Sequence, residues 1–456
     1  MSGAHADHPL GLGQEGASSP PVDLLSKLCS PGAAHVVIAL VLIVIFPWAI
    51  LRAVKDGGCD LRDFCVSGQY VLDHGVRMFE ILDDGGHIAR PASCLARYLP
   101  SVDVAFIPLA LLPIQVTAAL WYCMNVASWY GLLRIVRREL LTIEDDALRQ
   151  RGTLAAALLM LPIAVDGFLL GSFHMLVMLL TVAGLTNAWR GRAWRGGLLL
   201  GIGVWLKLLP IVGVGYLLLK RKWMAAGTAV LCALTIDVVL SLAGYGLATA
   251  WQEHVHWLSQ GAVGTATRQM DDGNANDEDR LTNQSTMVVV RRLFNDQTGF
   301  PELTVTALSP AMLGAMELGV LGALGTAMLW LLKRPATALR PEDWSAEISL
   351  VLLCTVWFSP VVWSYHFSAA LPALAFLMAR SGHEASKRAT AAVWIFAIAC
   401  FTIPLARAGG HMLWATFIVG AQVALVGWRA PKTSAQVLPD RIEAPFPLAV
   451  YHRLNS

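Results

Sequence analysis

The sequence predicts an all-α polytopic membrane protein with about twelve transmembrane helices, some of them short or broken. Three observations predict it. First, 56% of the residues are hydrophobic and only 14% are charged. Soluble domains carry about a quarter charged residues, so this chain has too little polar surface to cover a water-facing globule. Second, apolar windows recur along nearly the whole chain with no long polar linker between them, so one membrane domain is simpler than two or three soluble ones. Third, every second connection between windows is basic, the pattern of cytoplasmic loops. A formal net charge of +2, with no basic face, argues against nucleic acid as a partner.

Residues 1–33 are rich in Gly, Pro, Ser and His and lack a basic region ahead of an apolar core. They describe a disordered cytoplasmic tail and not a cleaved signal peptide. The membrane domain covers residues 34–429 and opens with an uncleaved anchor, Ala34–Ala53. A first outer loop, about 54–103, leads to Val104–Leu133. A dense stretch follows: Leu154–Val165, Leu169–Ala188, Gly196–Leu206 and Leu208–Leu219. The last two are only about eleven or twelve residues, roughly 17 Å of helix against a hydrocarbon core near 30 Å. Short segments at membrane depth need a protein-lined cavity, so they read as broken helices beside a site. Ala225–Gly246 then leads to a second outer loop, about 247–309. Ala311–Leu332, Ala346–Trp363, Phe367–Ala379, Ala389–Leu405 and His411–Trp428 complete the set. Residues 430–456 form a cytoplasmic tail.

Orientation follows from the basic connections. Arg134, Arg137 and Arg138, then Arg190 and Arg192, then Lys220 to Lys222, Lys333 and Arg334, Arg380 and Lys387, and Arg429 mark the cytoplasmic side. Both termini are therefore expected inside and both long loops outside. Eight cysteines include Cys59, Cys65 and Cys94 in the first outer loop, where two can pair in an oxidising compartment or all can stay free.

The outer loops hold the candidate chemistry. The first carries Asp56, Asp60 and Asp63 just beyond the first span. A carboxylate there can act as general base on an attacking hydroxyl, although on this motif alone a solvated acidic loop is the simpler account. Asp83 and Asp84 read as a polar turn. Lys207 interrupts the apolar run "GVWLKLLP". A cation at that depth must snorkel, pair or meet an anionic ligand. Asp166 falls by an outer turn, where solvent accounts for it, whereas Asp237 and Glu317 lie within apolar runs. His366, beside Trp363 and Tyr365 in "SPVVWSYHF", stands at an outer junction and reads as a site residue or as part of an interfacial belt. In "NQSTMVVVRRLF", Asn283, Gln284 and Ser285 can bond sugar hydroxyls while Arg291 and Arg292 can bind phosphate, or all can cap a loop helix. No zinc spacing, nucleotide-binding glycine loop or nucleophile elbow appears, so no cofactor or metal is expected.

These segments together resemble the polyprenol-phosphate-mannose-dependent mannosyltransferases of glycosyltransferase family 87, membrane enzymes of the GT-C class. "DLRDF" followed by "SG", "VL" and Gly75 is similar to the family's acidic segment. "YLPSVDVAFIPLALLP" resembles its tyrosine-proline entry, and "RGGLLLGIGVWLKLLPIVGVGYLLLKRKW" its lysine-proline segment. "NQST" and "SPVVWSYHF" match two later landmarks. Where the family has Gly-Gln-x-x-Asn, this chain reads "GSFHM", with Ser172 and His174 in place of the amides, and Phe64 stands where tyrosine is common.

The resemblance implies a GT-C-like fold in a bacterial inner (plasma) membrane, with the active site on the periplasmic or extracellular side. It implies a polyprenyl-phosphate sugar donor and a glycolipid or glycan acceptor. The catalytic aspartate falls on Asp60, with Asp63 as the alternative. Lys207, His366, Arg291 and Arg292 fall at the donor phosphate. Asn283, Gln284, Ser285, His174 and Tyr365 fall at the sugar or acceptor. The reaction implied is an inverting transfer of a hexose, mannose in the family. The competing class is a lipid-linked sugar transporter or flippase, which also uses broken spans and buried ionisable residues. The lack of a repeat between the halves and the furnished outer loops weigh against it.

Overall fold

A computed structural model describes residues 31–55, 60–76, 80–82, 88–91, 98–262, 283–295, 301–380 and 384–429. Most of both tails lies outside the described residues, as do Asp56, Cys59, Asp83, Asp84 and Cys94.

Within them the chain is almost wholly helical. It runs α1 (Pro31–Lys55), α2 (Asp60–His74), an antiparallel ribbon of β1 (Glu80–Leu82) and β2 (Ile88–Pro91), α3 (Pro100–Ala105), α4 (Ile107–Ala110), α5 (Ile114–Ile135) and α6 (Asp146–Leu169). Next come α7 (His174–Trp189), α8 (Ala193–Leu206), α9 (Ile211–Leu219), α10 (Trp223–His256) and α11 (Thr286–Phe294). The remainder is α12 (Pro310–Leu332), α13 (Pro341–Trp357), α14 (Leu371–Arg380), α15 (Glu384–Ala399), α16 (Pro404–Ala408) and α17 (His411–Arg429).

Four of these, α1, α6, α10 and α12, are long and apolar enough to cross a bilayer. The outward faces of three of them are greasy. Val36, Leu40, Ile43, Val44 and Trp48 form an exposed stripe on α1, Leu231, Leu234 and Val238 one on α10, and Leu318, Leu329 and Trp330 one on α12. Exposed apolar stripes at helical spacing would aggregate in water and are satisfied only by lipid, which makes this an integral membrane protein. Polar groups turn inward instead: Asp237 and Glu317 are both buried.

The described helices depart from the apolar windows in identifiable ways. Val104–Leu133 is not one span, because Pro108 and Pro113 each remove a backbone donor, leaving the short α3 and α4 before α5 begins at Ile114. Leu154–Val165 is not a short segment. It is the middle of the 24-residue α6, whose start is capped by Asp145 through the Ala147 and Leu148 amides. The run Ala225–Gly246 continues to His256, with Gly246 in a left-handed conformation (φ 74°). Asp237 and His254, 17 residues apart, meet at 2.8 Å. Along a straight helix they would be about 25 Å apart, so the segment after Gly246 folds back beside the one before it. The first long connection, expected as a loop, contains a helix. Leu61, Phe64, Ser67, Gly68 and Val71 of α2 are buried, one face at helical spacing.

The broken pair is as short as its apolar windows, with α8 at 14 residues and α9 at 9. What holds α8 is backbone proximity. A Cβ on Gly196 would stand 2.6 Å from the Ala188 nitrogen on α7. On the other side, one on Gly197 would stand 2.5 Å from Thr228 Cβ and one on Gly201 2.5 Å from the Ala229 carbonyl, both on α10. Small residues let helices touch in a membrane, where the hydrophobic effect gives no drive to associate. The helix carrying Lys207 at its end is thus wedged between two neighbours. At the centre of the molecule, α13 is buried at every position from Asp343 to Trp357.

Candidate active site

Three chain breaks converge on one place: the start of α2, the α8–α9 break, and the turn between α13 and α14. Asp60 is the first residue of α2, and its amide donates to the Leu170 carbonyl at 2.8 Å, fixing it to the end of α6. A carboxylate in the first turn of a helix is also favoured by the helix dipole. Four residues later, Phe64 is buried among Tyr98, Phe106 and Phe173, stacked on Phe106 at 4.5 Å. That aromatic cluster anchors the helix whose N-terminus carries Asp60. Asp63, one turn on, is half-buried.

Tyr365 joins the parts. It lies in the 3-10 turn Ser364–Ala370 and is 1% exposed. Its hydroxyl donates to Asp60 Oδ2 at 3.3 Å, across 305 residues of chain. Its ring stacks on His366 at 4.5 Å and lies 5.2 Å from Lys207 Nζ. Gly167 makes this packing possible, since a Cβ there would press on Tyr365 Cβ at 3.1 Å. The same turn is tied to α6 by Ser364, whose hydroxyl donates to Asp166. Asp166, expected to be accounted for by solvent at a turn, therefore has a protein partner.

Lys207 ends α8. Its amide closes the last turn on the Gly203 carbonyl at 3.0 Å, and its own backbone is extended (φ −155°, ψ 127°). The side chain reaches between the Tyr365 and Tyr98 rings, at 5.2 and 5.9 Å, and its Nζ stands 2.7 Å from His366 Nε2. Aromatic faces stabilise a cation where water is scarce. His366 is oriented from the other side, where its Nδ1 accepts the Trp363 amide at 2.9 Å. His174, 1% exposed, completes the group with its ring 4.8 Å from His366 and 5.7 Å from Tyr365. Neither of its ring nitrogens has a hydrogen-bond partner among the described residues.

Asp60, Tyr365, Lys207, His366 and His174 thus share one site. Residues 283–295, in the second long connection, contribute differently. Asn283 Oδ1 accepts the Ser285 and Val362 amides, both at 3.0 Å, and its Nδ2 donates to the Pro360 carbonyl. Gln284 accepts the Met412 amide at 3.1 Å, and Ser285 caps α11 through the Val288 amide. Asn283 thus binds the loop to the extended segment leading into Tyr365, Gln284 binds it to α17, and Ser285 starts the loop's own helix. Arg291 is in a two-point ion pair with Glu317. Arg292, 3% exposed, donates to the Ala408 carbonyl, and burial lowers its guanidinium to about 10, which leaves it charged at neutral pH. Cys65 is free. Among the described residues no three His, Cys, Asp or Glu side chains gather as metal ligands would.

Sequence reasoning did not single out Tyr98 or the Asp166–Ser364 tie. Tyr98 had a signal, the "YLP" preceding the first proline-broken stretch. Asp166 had only its place beside an apolar run.

The family model described as glycosyltransferase family 87 matches residues 98–360. A polyprenol-phosphate-mannose-dependent alpha-(1-2)-phosphatidylinositol pentamannoside mannosyltransferase of Mycobacterium tuberculosis is 25% identical over 360 residues, 77% of this chain and 74% of its own length. A polyprenol-phosphate-mannose-dependent alpha-(1-2)-phosphatidylinositol mannoside mannosyltransferase of Mycolicibacterium smegmatis is 27% identical over 297 residues, 61% of this chain and 60% of its own. No solved structure matches the chain.

Proposed function

The chain belongs to glycosyltransferase family 87 and is a membrane glycosyltransferase, and on that premise we propose that it moves a mannose from a polyprenyl-phosphate carrier to a glycolipid or glycan acceptor on the outer face of the membrane. The relatives named above use polyprenol-phosphate-mannose and act on phosphatidylinositol mannosides, which supports that donor and a glycolipid of that kind as acceptor. The single observation that carries the reading is Tyr365, one side chain touching Asp60 with its hydroxyl and Lys207 and His366 with its ring.

In an inverting transfer the base and the leaving group stand on opposite faces of one sugar ring. A carboxylate and a lysine–histidine pair separated by the length of one tyrosine suit that arrangement. Asp60 takes the proton of the acceptor hydroxyl as its oxygen bonds to the anomeric carbon. The bond from that carbon to the phosphate oxygen breaks, and its electron pair leaves with the polyprenyl phosphate. Lys207 and His366 stabilise the charge that grows there. His174 faces the sugar. Asn283 acts by shaping the segment that leads into Trp363–His366, and Gln284 and Ser285 hold the loop that carries it. Arg292 supplies positive potential from that loop, and Arg291 reaches the donor phosphate only by leaving its pair with Glu317. The α8–α9 break gives the prenyl chain a passage to the bilayer.

The alternation of basic connections supports cytoplasmic termini, about twelve crossings and loops 54–103 and 247–309 outside, in a bacterial inner membrane. Membrane domain 34–429 carries the chemistry, with tails 1–33 and 430–456 inside.

Purified protein incubated with radiolabelled polyprenyl-phosphate mannose and a glycolipid extract tests the reading. Label should leave the carrier for a new glycolipid, and Asp60→Asn should abolish this. Full activity in Asp60→Asn with loss in Asp63→Asn would move the base to Asp63. Label crossing vesicles unchanged would replace the transferase reading with a carrier.

A further inference from the structure

We propose that Trp205, Ser101 and Asp237 are positioning residues that set where Lys207 presents its charge, an inference that rests on reading Lys207 as the residue that binds the donor phosphate. Lys207 stands just past the last helical residue of α8. Its direction is inherited from the last turn of α8, and Trp205 is the side chain of that turn with a polar tether. The Trp205 indole N–H donates to Ser101 Oγ at 2.8 Å. Ser101 is completely buried on α3 and donates its own hydroxyl to Asp237 Oδ1 on α10. Asp237, 5% exposed, meets His254 Nε2 with its other oxygen at 2.8 Å, and His254 Nδ1 stands 2.7 Å from the Ala250 carbonyl. Four elements are thereby joined: the folded-back arm after Gly246, the body of α10, α3, and the end of α8.

The hydrogen bonds run one way. An indole N–H only donates, so the serine oxygen must accept it and turn its proton outward, and an ionised carboxylate only accepts. Both arms end on Asp237, which orients the whole chain. Ser101 is also three residues from Tyr98, whose ring faces Lys207. One network therefore fixes both the helix that carries the lysine and one of the two rings beside it.

Helix association does not require this network. Gly197 and Gly201 already bring α8 and α10 into backbone contact, and a carboxylate at membrane depth is costly where an apolar residue would pack. What packing between smooth glycine faces does not supply is rotation and register. A directional hydrogen bond from Trp205 supplies both.

The test is equilibrium binding of radiolabelled polyprenyl-phosphate mannose, without acceptor, to the full chain in nanodiscs. Trp205→Phe keeps an aromatic ring but removes the five-membered half of the indole together with its N–H. It should weaken donor binding at least about fivefold, the share that comes from the lost hydrogen bond alone. Ser101→Ala keeps the packing around the indole and removes both hydrogen bonds of the serine; it should weaken donor binding at least as much, and serves if Trp205→Phe fails to accumulate. In a Lys207→Met background neither substitution should weaken binding further, because the residue being positioned is gone. A purely structural network would lower the unfolding temperature and multiply its effect onto Lys207→Met. That result, or unchanged binding in both single variants, overturns the inference. If Lys207→Met itself binds donor as wild type does, the reading of Lys207 fails, whatever Trp205 does.

Discussion

Replacing Tyr365 by Phe separates the two things this side chain does. The ring stays, so the contact with Lys207 at 5.2 Å and the stack on His366 at 4.5 Å are kept. Only the hydroxyl that donates to Asp60 Oδ2 is lost. A hydrogen bond to a charged group contributes about 1.5–3 kcal/mol. At 3.3 Å this one is longer than the usual O–H···O range, and Asp60 is half-buried, so water can replace part of it. The low end applies, about 1.5 kcal/mol, or roughly tenfold in rate. Tyr365→Phe should therefore lower kcat/KM about tenfold in the radiolabel transfer reaction while donor binding, measured without acceptor, stays within about twofold. Tyr365→Ala should also weaken donor binding, because it removes the face beside Lys207 as well. A Phe variant with unchanged kcat/KM, or one that loses donor affinity instead, would refute the idea that the hydroxyl serves Asp60 and the ring serves the cation.

Other outcomes follow from buried groups. Lys220 is fully buried and bound to Glu347 at 2.7 Å and to the Leu332 and Arg334 carbonyls. Lys220→Met strands Glu347 and should cost about 3–5 kcal/mol of stability, read as a lower unfolding temperature, and adding Glu347→Gln should recover part of it; no recovery would mean that the carbonyl contacts dominate. Asn283→Ala orphans two backbone amides and should cost about 1–3 kcal/mol for each, with donor affinity falling as Trp363–His366 loosens; normal stability would show that water replaces the amide. Gly201→Leu drives a side chain into the Ala229 carbonyl at 2.5 Å. It should prevent accumulation of folded protein, as size-exclusion in detergent would reveal, whereas Gly215→Ala, with open space around it, should be tolerated.

Much of the architecture was readable because the bilayer imposes simple rules on sequence. Lys207 inside an apolar run marked a helix break, and the break is where the candidate site lies. The prolines at 108 and 113 were equally visible, yet a continuous hydropathy window hid their effect, since hydropathy ignores missing backbone donors. The acidic loop concealed α2 for a related reason. Its buried positions recur at helical spacing, but charged residues between them lower the average. The site itself was legible only in pieces. Nothing local in "DLRDF" or "SYHF" states that Asp60 and Tyr365 touch, because that contact is made by α6, which holds Leu170 under one and Gly167 under the other. Asn283 and Gln284 look like sugar readers by residue type, while their amides are occupied by the backbone of Val362 and Met412.

The 305 residues between Asp60 and Tyr365 also set a clock. At about 5–20 residues per second of synthesis, roughly a quarter of a minute to a minute passes between the appearance of the carboxylate and of the tyrosine that meets it. Throughout that interval a ribosome-bound chain lacks the tyrosine for Asp60, and once Lys207 has been made it still lacks His366 beside it. On the proposed mechanism a chain stalled before residue 365 transfers no sugar. The catalyst comes into being only near the end of its own translation.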